Sequence, residues 1–264
     1  MILNYNYWYF VSALPEEVCD KIIETGLEKM SEAKRNYGNY AVEGTTGDWK
    51  AKSDLDPNLV KDAADITLEE ALKDGDDVNN FALRDSEVSW LNDDWLYKTI
   101  WPFIHEANRQ AGWNFDWDFT EDIQFTKYGL NQYYGWHADC GVLPYEKYDP
   151  AIHSTKKDKD GNDMLNAFGD PLPLESHVTD NPQMWNKIRK LSVTISLSDP
   201  NDYTGGNLKF DLGPHRPDRY HECEEIRPRG SIVVFPSHIY HQVTPVTSGT
   251  RYSLVCWSLG KPWK

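Results

Sequence analysis

The stretch Tyr134-Gly-Trp-His137-Ala-Asp139 decides how the rest of the chain is interpreted. Its aromatic residues are typical of a β-strand. Side chains at positions i and i+2 of a strand point to the same face, so His137 and Asp139 can both reach one metal ion. A His-x-Asp pair by itself also fits a surface strand with two polar residues. The metal interpretation therefore depends on a third ligand elsewhere in the chain.

A second stretch, His241-Gln-Val-Thr-Pro-Val-Thr-Ser-Gly-Thr-Arg251, offers that ligand. Two histidines and one carboxylate on one side of a metal leave the opposite face open, which is the ligand set of non-haem Fe(II) oxygenases. His238 is the alternative, but it follows Pro236 in a predicted turn. His241 opens an apolar run, and the start of a strand is a rigid place for a ligand. We therefore predict His137, Asp139 and His241 as the metal ligands.

Arg251 opens the last β-prone segment, and its planar guanidinium suits a cosubstrate that bears a carboxylate. Ser253 and Trp257 share its face of the predicted strand. The hydroxyl of Ser253 is a candidate second donor, whereas Trp257 is predicted to be a pocket wall or a core residue. Tyr128 and Tyr134 flank the metal strand, where a phenol can donate to a buried carboxylate, although tyrosines in strands are most often packing residues.

Composition limits the class of protein. At 264 residues the chain can bury the core of one large β domain or of two smaller ones. A net charge of −15 argues against a nucleic-acid partner, and no segment approaches the roughly 20 apolar residues that cross a bilayer. The cysteines show no framework spacing, which favours a reducing, cytoplasmic location. They are Cys19, Cys140, Cys223 and Cys256.

The first 117 residues are predicted to form a supporting region of strand and helix. Alternating apolar residues from Leu3 to Val11 indicate a strand. A helix is predicted over 13–26, with Pro15 in its first turn and Gly26 as its stop. An amphipathic stretch follows at about 57–73, a strand-like segment at 81–90, and a helix at 95–112.

Residues 118–264 change to short strands divided by turns, which is typical of a sandwich or barrel. A long polar insertion at about 141–189 interrupts them and is predicted to be a lid or binding loop. The Gly205-Gly206 pair is predicted to be a hairpin turn. We predict one compact unit with strands at 122–128, 132–139, 190–197, 207–211, 231–236, 242–246 and 251–259.

The chain resembles a known family, the prolyl 4-hydroxylase-like 2-oxoglutarate/Fe(II) dioxygenases. The resemblance lies in three stretches, Tyr128–Asp139, Leu191–Leu208 and Gly230–Arg251, and the third is most similar to the PKHD-type hydroxylase branch. It covers about residues 118–140 and 190–260.

The resemblance implies a mainly β fold, a double-stranded β-helix (jelly-roll) core with an N-terminal α-helical layer. It implies Fe(II) held by His137, Asp139 and His241, and 2-oxoglutarate chelating the metal with its far carboxylate on Arg251, helped by Tyr134. O2 would be the second cosubstrate and ascorbate an accessory reductant. The presence of Asp139 favours hydroxylation over halogenation.

The substrate expected from the resemblance is a prolyl or other residue of a peptide or protein, with release of succinate and CO2. A small molecule such as a free amino acid is the alternative substrate. A metal-binding jelly roll without catalysis is the third hypothesis, and the presence of Arg251 argues against it.

Overall fold

The computed structural model describes residues 5–44, 84–141, 143–155, 161–163 and 177–263. Within these ranges the chain forms two long helices, α1 (Glu16–Tyr37) and α2 (Asp94–Gln110). Sixteen strands accompany them. In chain order these are β1 (Trp8–Phe10), β2 (Arg84–Asp85), β3 (Glu87–Leu91), β4 (Phe119–Thr120), β5 (Ile123–Tyr128), β6 (Tyr133–His137), β7 (Glu146–Lys147), β8 (Val178–Thr179), β9 (Ile188–Ser196), β10 (Tyr203–Gly205), β11 (Leu208–Asp211), β12 (Tyr220–Glu222), β13 (Ile232–Pro236), β14 (His241–Val243), β15 (Val246–Gly249) and β16 (Arg251–Gly260).

Most of these strands form two antiparallel sheets. The major sheet has the order β1-β13-β9-β16-β5-β3, with β4 added beside β16. The minor sheet has the order β12-β11-β14-β6-β2. The prediction of a mainly β, double-stranded β-helix core with an N-terminal helical layer is confirmed. The amphipathic stretch predicted at about 57–73 lies outside the described residues.

Helix α1 is longer than predicted. Pro15 precedes it, and Glu16 and Glu17 in its first turn complement the helix dipole. The prediction that Gly26 stops the helix is wrong, since α1 continues to Tyr37. Gly26 serves packing instead: a Cβ there would lie 2.3 Å from the ring of Phe125, so only glycine allows the helix to approach β5 this closely.

Helix α2 carries the predicted apolar stripe of Leu96, Ile100, Phe103, Ile104 and Ala107. Phe103 is only partly buried, against the core, and the other four are buried. Both helices pack on the outer face of the major sheet, in a core that includes Leu254 and Cys256 of β16. Alternation along β16 then turns Arg251, Ser253 and Val255 to the opposite face, towards the minor sheet. Among the described residues, neither helix is long and apolar enough to cross a membrane.

The predicted strands of the core are all present, and two details differ. The strand predicted at 242–246 is divided into β14 and β15, because Pro245 between them lacks the N–H that a ladder needs. Gly205 and Gly206 are not a hairpin turn. Strand β10 pairs with β15, whereas β11 pairs with β12 and β14, so the glycines carry the chain from one sheet to another.

Candidate metal centre and cosubstrate pocket

Two neighbouring strands of the minor sheet place the predicted ligands together. His241 of β14 and His137 of β6 are direct cross-strand partners, and Asp139 follows β6 by two residues. The backbone N–H of Asp139 donates to the carbonyl of Ser237 at 2.9 Å, which fixes the segment after the strand. His238 is exposed and is not part of this group.

The three side chains converge. Their ligand atoms all lie within 4.8 Å of one another. The Oδ1 atom of Asp139 is 3.5 Å from Nε2 of His137, and its Oδ2 atom is 3.6 Å from Nε2 of His241. All three side chains are at most 8% exposed. A metal ion between these atoms would receive two nitrogens and one carboxylate.

Hydrogen bonds to the backbone select the imidazole tautomers. Nδ1 of His137 lies 2.8 Å from the carbonyl of Gly135, and Nδ1 of His241 lies 3.0 Å from the carbonyl of Ile239. Because a carbonyl only accepts, each Nδ1 carries a hydrogen, which leaves Nε2 of each ring as the atom that can bind a metal. The sequence alone gives no sign of these bonds.

The electrostatics of the centre also suit a cation. Burial would raise the pKa of Asp139, but the charge of His241 and a hydrogen bond from His137 lower it well below its usual range. Burial, together with the like charge of His137, lowers the pKa of His241 to about 4. At pH 7 the carboxylate is therefore ionised and the imidazole of His241 is neutral. Within the described residues, Oδ2 of Asp139 is buried without a hydrogen-bond partner, as expected of an atom that binds a metal.

Arg251 lies on the major sheet, opposite Tyr128 of β5 in register. The arginine is 2% exposed and no carboxylate pairs with it in the described part of the chain. Its Nη1 donates to Oγ of Ser253 at 3.2 Å, and its Cζ lies 5.4 Å from the ring centroid of Tyr128. Because Ser253 accepts from the guanidinium, its hydroxyl hydrogen is free to donate to a bound anion.

Gly206, directly after β10, lies against this arginine. A Cβ on Gly206 would lie 2.8 Å from Cδ of Arg251, so the close approach requires glycine. The residue also has φ +60°, which favours glycine independently.

Apolar side chains connect the arginine to the metal centre. Tyr128 packs with Val243, Val246 and Tyr134 in one cluster. The ring of Tyr134 stacks on His137 with centroids 3.5 Å apart and planes 10° apart. A chain of contacts thus runs from the metal centre through Tyr134 and Tyr128 to Arg251 and Ser253.

An ion pair between Arg189 and Glu121 was not predicted from the sequence. Nε and Nη2 of Arg189 donate to the two carboxylate oxygens of Glu121, each at 2.6 Å. The guanidinium stacks on Trp257, with its Cζ 3.9 Å from the ring centroid. Burial would lower the pKa of Arg189, but the charge of Glu121 raises it above its usual value. Nothing in the local sequence pairs residues 121 and 189, because the contact depends on the barrel bringing β9 beside the segment before β5.

Comparisons with known proteins agree with this geometry. The family model of the 2OG-Fe(II) oxygenase superfamily matches residues 123–259, just over half of the chain. PKHD-type hydroxylases are similar over shorter stretches. One from Synechococcus sp. (strain CC9605) is 43% identical over 79 residues, 30% of this chain and 33% of its own. One from Paraburkholderia phytofirmans is 32% identical over 120 residues, 44% of each chain. The chain therefore spans only about a third to under a half of the curated relatives that it matches.

Two solved structures have the same fold. The viral collagen prolyl hydroxylase of Paramecium bursaria Chlorella virus-1 aligns over 97% of both chains with a TM-score of 0.51 and 15% identity. A Pseudomonas putida prolyl-4-hydroxylase aligns over 98% of this chain and 95% of its own, with a TM-score of 0.50 and 14% identity. At these identities the likeness concerns the fold alone.

Proposed function

Because the chain belongs to the 2OG-Fe(II) oxygenase superfamily, we propose that it is a 2-oxoglutarate- and Fe(II)-dependent dioxygenase. Its substrate would be a prolyl or other residue of a peptide or protein. The observation that carries the proposal is the buried convergence of His137, Asp139 and His241, with an unpartnered carboxylate oxygen at the centre.

The overall reaction consumes one O2 and one 2-oxoglutarate for each hydroxyl group formed. Bound Fe(II) supplies the place where O2 is reduced: 2-oxoglutarate gives two electrons as it is cleaved to succinate and CO2, and the substrate C–H bond gives two more. One oxygen atom enters succinate and the other enters the substrate. The protein has to hold the metal, orient 2-oxoglutarate and keep water out.

Each residue of the pocket has a part in this scheme. His137, Asp139 and His241 would hold the metal and leave one side of it open. Arg251 would pair with the distal carboxylate of 2-oxoglutarate, and Ser253 and Tyr128 beside it are further candidate donors. Tyr134 stacks on the ring of His137 and would keep it in place; it is also a candidate donor to the distal carboxylate.

The choice of a peptidyl substrate rests on the resemblance to the prolyl 4-hydroxylase-like family. The similar sequences are PKHD-type hydroxylases, which supports hydroxylation as the reaction. The insertion at 141–189, a predicted lid, is long enough to cover an extended chain. Ascorbate is proposed as an accessory reductant. The four cysteines are all free thiols, which supports a reducing, intracellular compartment.

Succinate release tests the proposal directly. The protein, loaded anaerobically with Fe(II), would be given O2 and 2-oxoglutarate with proline-containing peptides in one series and free amino acids in another. We expect substrate-dependent succinate and a substrate mass gain of one oxygen atom. Absence of 2-oxoglutarate turnover in every series would contradict the enzymatic proposal and favour a binding module. A crystal soaked with Mn(II) and N-oxalylglycine locates the site independently of activity.

A further inference from the structure

A second buried guanidinium, that of Arg84, faces the same pocket. Strand β2 pairs with β6 in the minor sheet, and β3 pairs with β5 in the major sheet, with Ser86 between them. The chain crosses from one sheet to the other at this point. Arg84 therefore lies in the corner where the barrel closes, and it is only 7% exposed.

Three contacts fix the orientation of Arg84. Its Nε donates to Oγ of Ser86 at 2.8 Å, and its Nη2 donates to Oε1 of Gln124 at 2.6 Å. Gln124 alternates along β5 with Ile123 and Phe125 of the outer core, so it faces the pocket. The Cζ of Arg84 lies 4.7 Å from the ring centroid of Tyr134.

The metal centre is close to this arginine. The ring of Tyr134 is 3.5 Å from that of His137. Together with the 4.7 Å contact, this puts Cζ of Arg84 at most about 8 Å from the centroid of a metal-ligating ring. A carboxylate paired with Arg84 would therefore lie near the metal centre.

In the described part of the chain Arg84 has no counter-ion. Among the described residues neither Arg84 nor Arg251 pairs with a carboxylate, whereas Arg189 is neutralised by Glu121. With Fe(II) and 2-oxoglutarate bound, the charges of Asp139 and of the diacid balance those of the metal and Arg251. One positive charge then remains, on Arg84. An unpaired buried charge is unfavourable, so the loaded pocket favours an anion at this position.

We propose that Arg84 binds a carboxylate of the substrate and thereby positions the rest of the substrate at the metal centre. The inference rests on the proposed function and narrows its substrate class. The carboxylate belongs either to a free amino acid or to the C-terminal residue of a peptide, and the chemistry recognised is the same. The guanidinium of Arg84 donates to the carboxylate through its remaining N–H groups, and Gln124 and the face of Tyr134 fix its angle.

Matched pairs of probes test the carboxylate. L-Proline and L-prolinamide differ only in that group, as do the tripeptide Ala-Ala-Pro and its C-terminal amide. Two readouts are used, succinate release with the Fe(II) enzyme and calorimetric binding of each probe to the protein loaded with Mn(II) and N-oxalylglycine. The two pairs distinguish a free amino acid from a peptide C-terminus.

The wild type is expected to prefer one of the two acids over its amide by about 100-fold in KM and in Kd. Arg84→Gln is expected to abolish this ratio, and Arg84→Lys to retain part of it. Arg229→Gln is the matched control, since Arg229 already pairs with Asp20 on the helix side of the major sheet. Retention of N-oxalylglycine binding shows that each variant is folded.

The outcomes separate the two proposals. If acids and amides bind and turn over equally in the wild type, Arg84 does not bind a substrate carboxylate and the proposed function stands. If Arg84→Gln weakens the acid and the amide of a pair equally, Arg84 likewise does not bind a substrate carboxylate. If Arg84→Gln fails to fold, the role of Arg84 is judged from the acid-to-amide ratio of the wild type and from its decrease in Arg84→Lys. Failure of every probe to stimulate succinate release contradicts the proposed function, while a binding preference for the acid that is lost in Arg84→Gln would still support the role of Arg84.

Discussion

His137 and His241 lie directly opposite each other on neighbouring antiparallel strands, with ring centroids 4.2 Å apart. Strand pairing of the minor sheet, rather than a flexible loop, therefore sets the distance between the two imidazoles. A bulge between His241 and Val243 shifts the register beside them, and such irregularities are common next to functional sites because they re-aim a side chain.

Removal of one imidazole should abolish tight metal binding. We expect His241→Ala to raise the Kd for Mn(II) by more than 100-fold, since even loss of a residue that supports a ligand costs about 10- to 100-fold. Calorimetric titration measures the effect. His238→Ala is the control, because that exposed histidine lies three residues away. Equal losses in the two variants would contradict the assignment of His241.

Arg251 should control the affinity for 2-oxoglutarate. Arg251→Gln removes a buried charged partner, which costs about 2–5 kcal/mol, so Kd for N-oxalylglycine should rise at least about 30-fold. Ser253→Ala removes a neutral hydrogen bond worth about 1 kcal/mol and should raise Kd about fivefold. Mn(II) affinity without the cosubstrate should stay unchanged in both variants. A loss of metal binding in either would mean that the pocket had collapsed.

Acid should destabilise the metal-free protein through His241. Its pKa is lowered to about 4 by burial, while the unfolded chain has the ordinary value near 6.5. Between these values the unfolded state binds more protons, so the free energy of unfolding falls as the pH falls from 6.5 to 4. A shift of this size corresponds to about 3 kcal/mol.

Urea unfolding of the metal-free protein at several pH values checks this expectation. In His241→Gln the decrease in the free energy of unfolding between pH 6.5 and pH 4 should be smaller by about 3 kcal/mol. Saturating Mn(II) should move the decrease to lower pH, because the metal competes with protons for the same nitrogen. An identical pH profile in wild type and variant would refute the role of His241 burial.

The sequence predicts a candidate site, but not the long-range contacts that surround it. His137 and Asp139 could be paired from local spacing, and Arg251 from its position at the start of a β-prone segment. Arg84, Glu121 and Arg189 could not be found in this way. Their partners lie far away in sequence, and only the closure of the barrel brings them together.

At Gly26 a local sequence rule gave a wrong prediction. Local rules make glycine a helix stop, and the helix continues through it. On propensity alone, Gly26→Ala should stabilise the helix by about 1 kcal/mol. Contact of the new Cβ with Phe125 makes the substitution destabilising instead, because overpacking of this kind costs about 1–3 kcal/mol. Thermal unfolding should show a lower Tm for Gly26→Ala and partial recovery in Gly26→Ala/Phe125→Leu. A Tm that rises in the single variant would contradict the packing argument.

The ion pair between Glu121 and Arg189 should contribute to the stability of the fold. Both side chains are largely buried, at 8% and 20% exposure, and the guanidinium also covers Trp257. Glu121→Gln would leave the buried guanidinium without its anion, so we expect a loss of about 3 kcal/mol in the free energy of unfolding. Glu121→Leu/Arg189→Met, which removes both charges, should be less harmful than the single variant, because no unpaired charge remains. The exposed pair Arg109–Glu106 is the matched control, and Glu106→Gln should leave unfolding unchanged. If the double variant proves as unstable as Glu121→Gln, the loss arises from packing against Trp257 rather than from the unpaired charge.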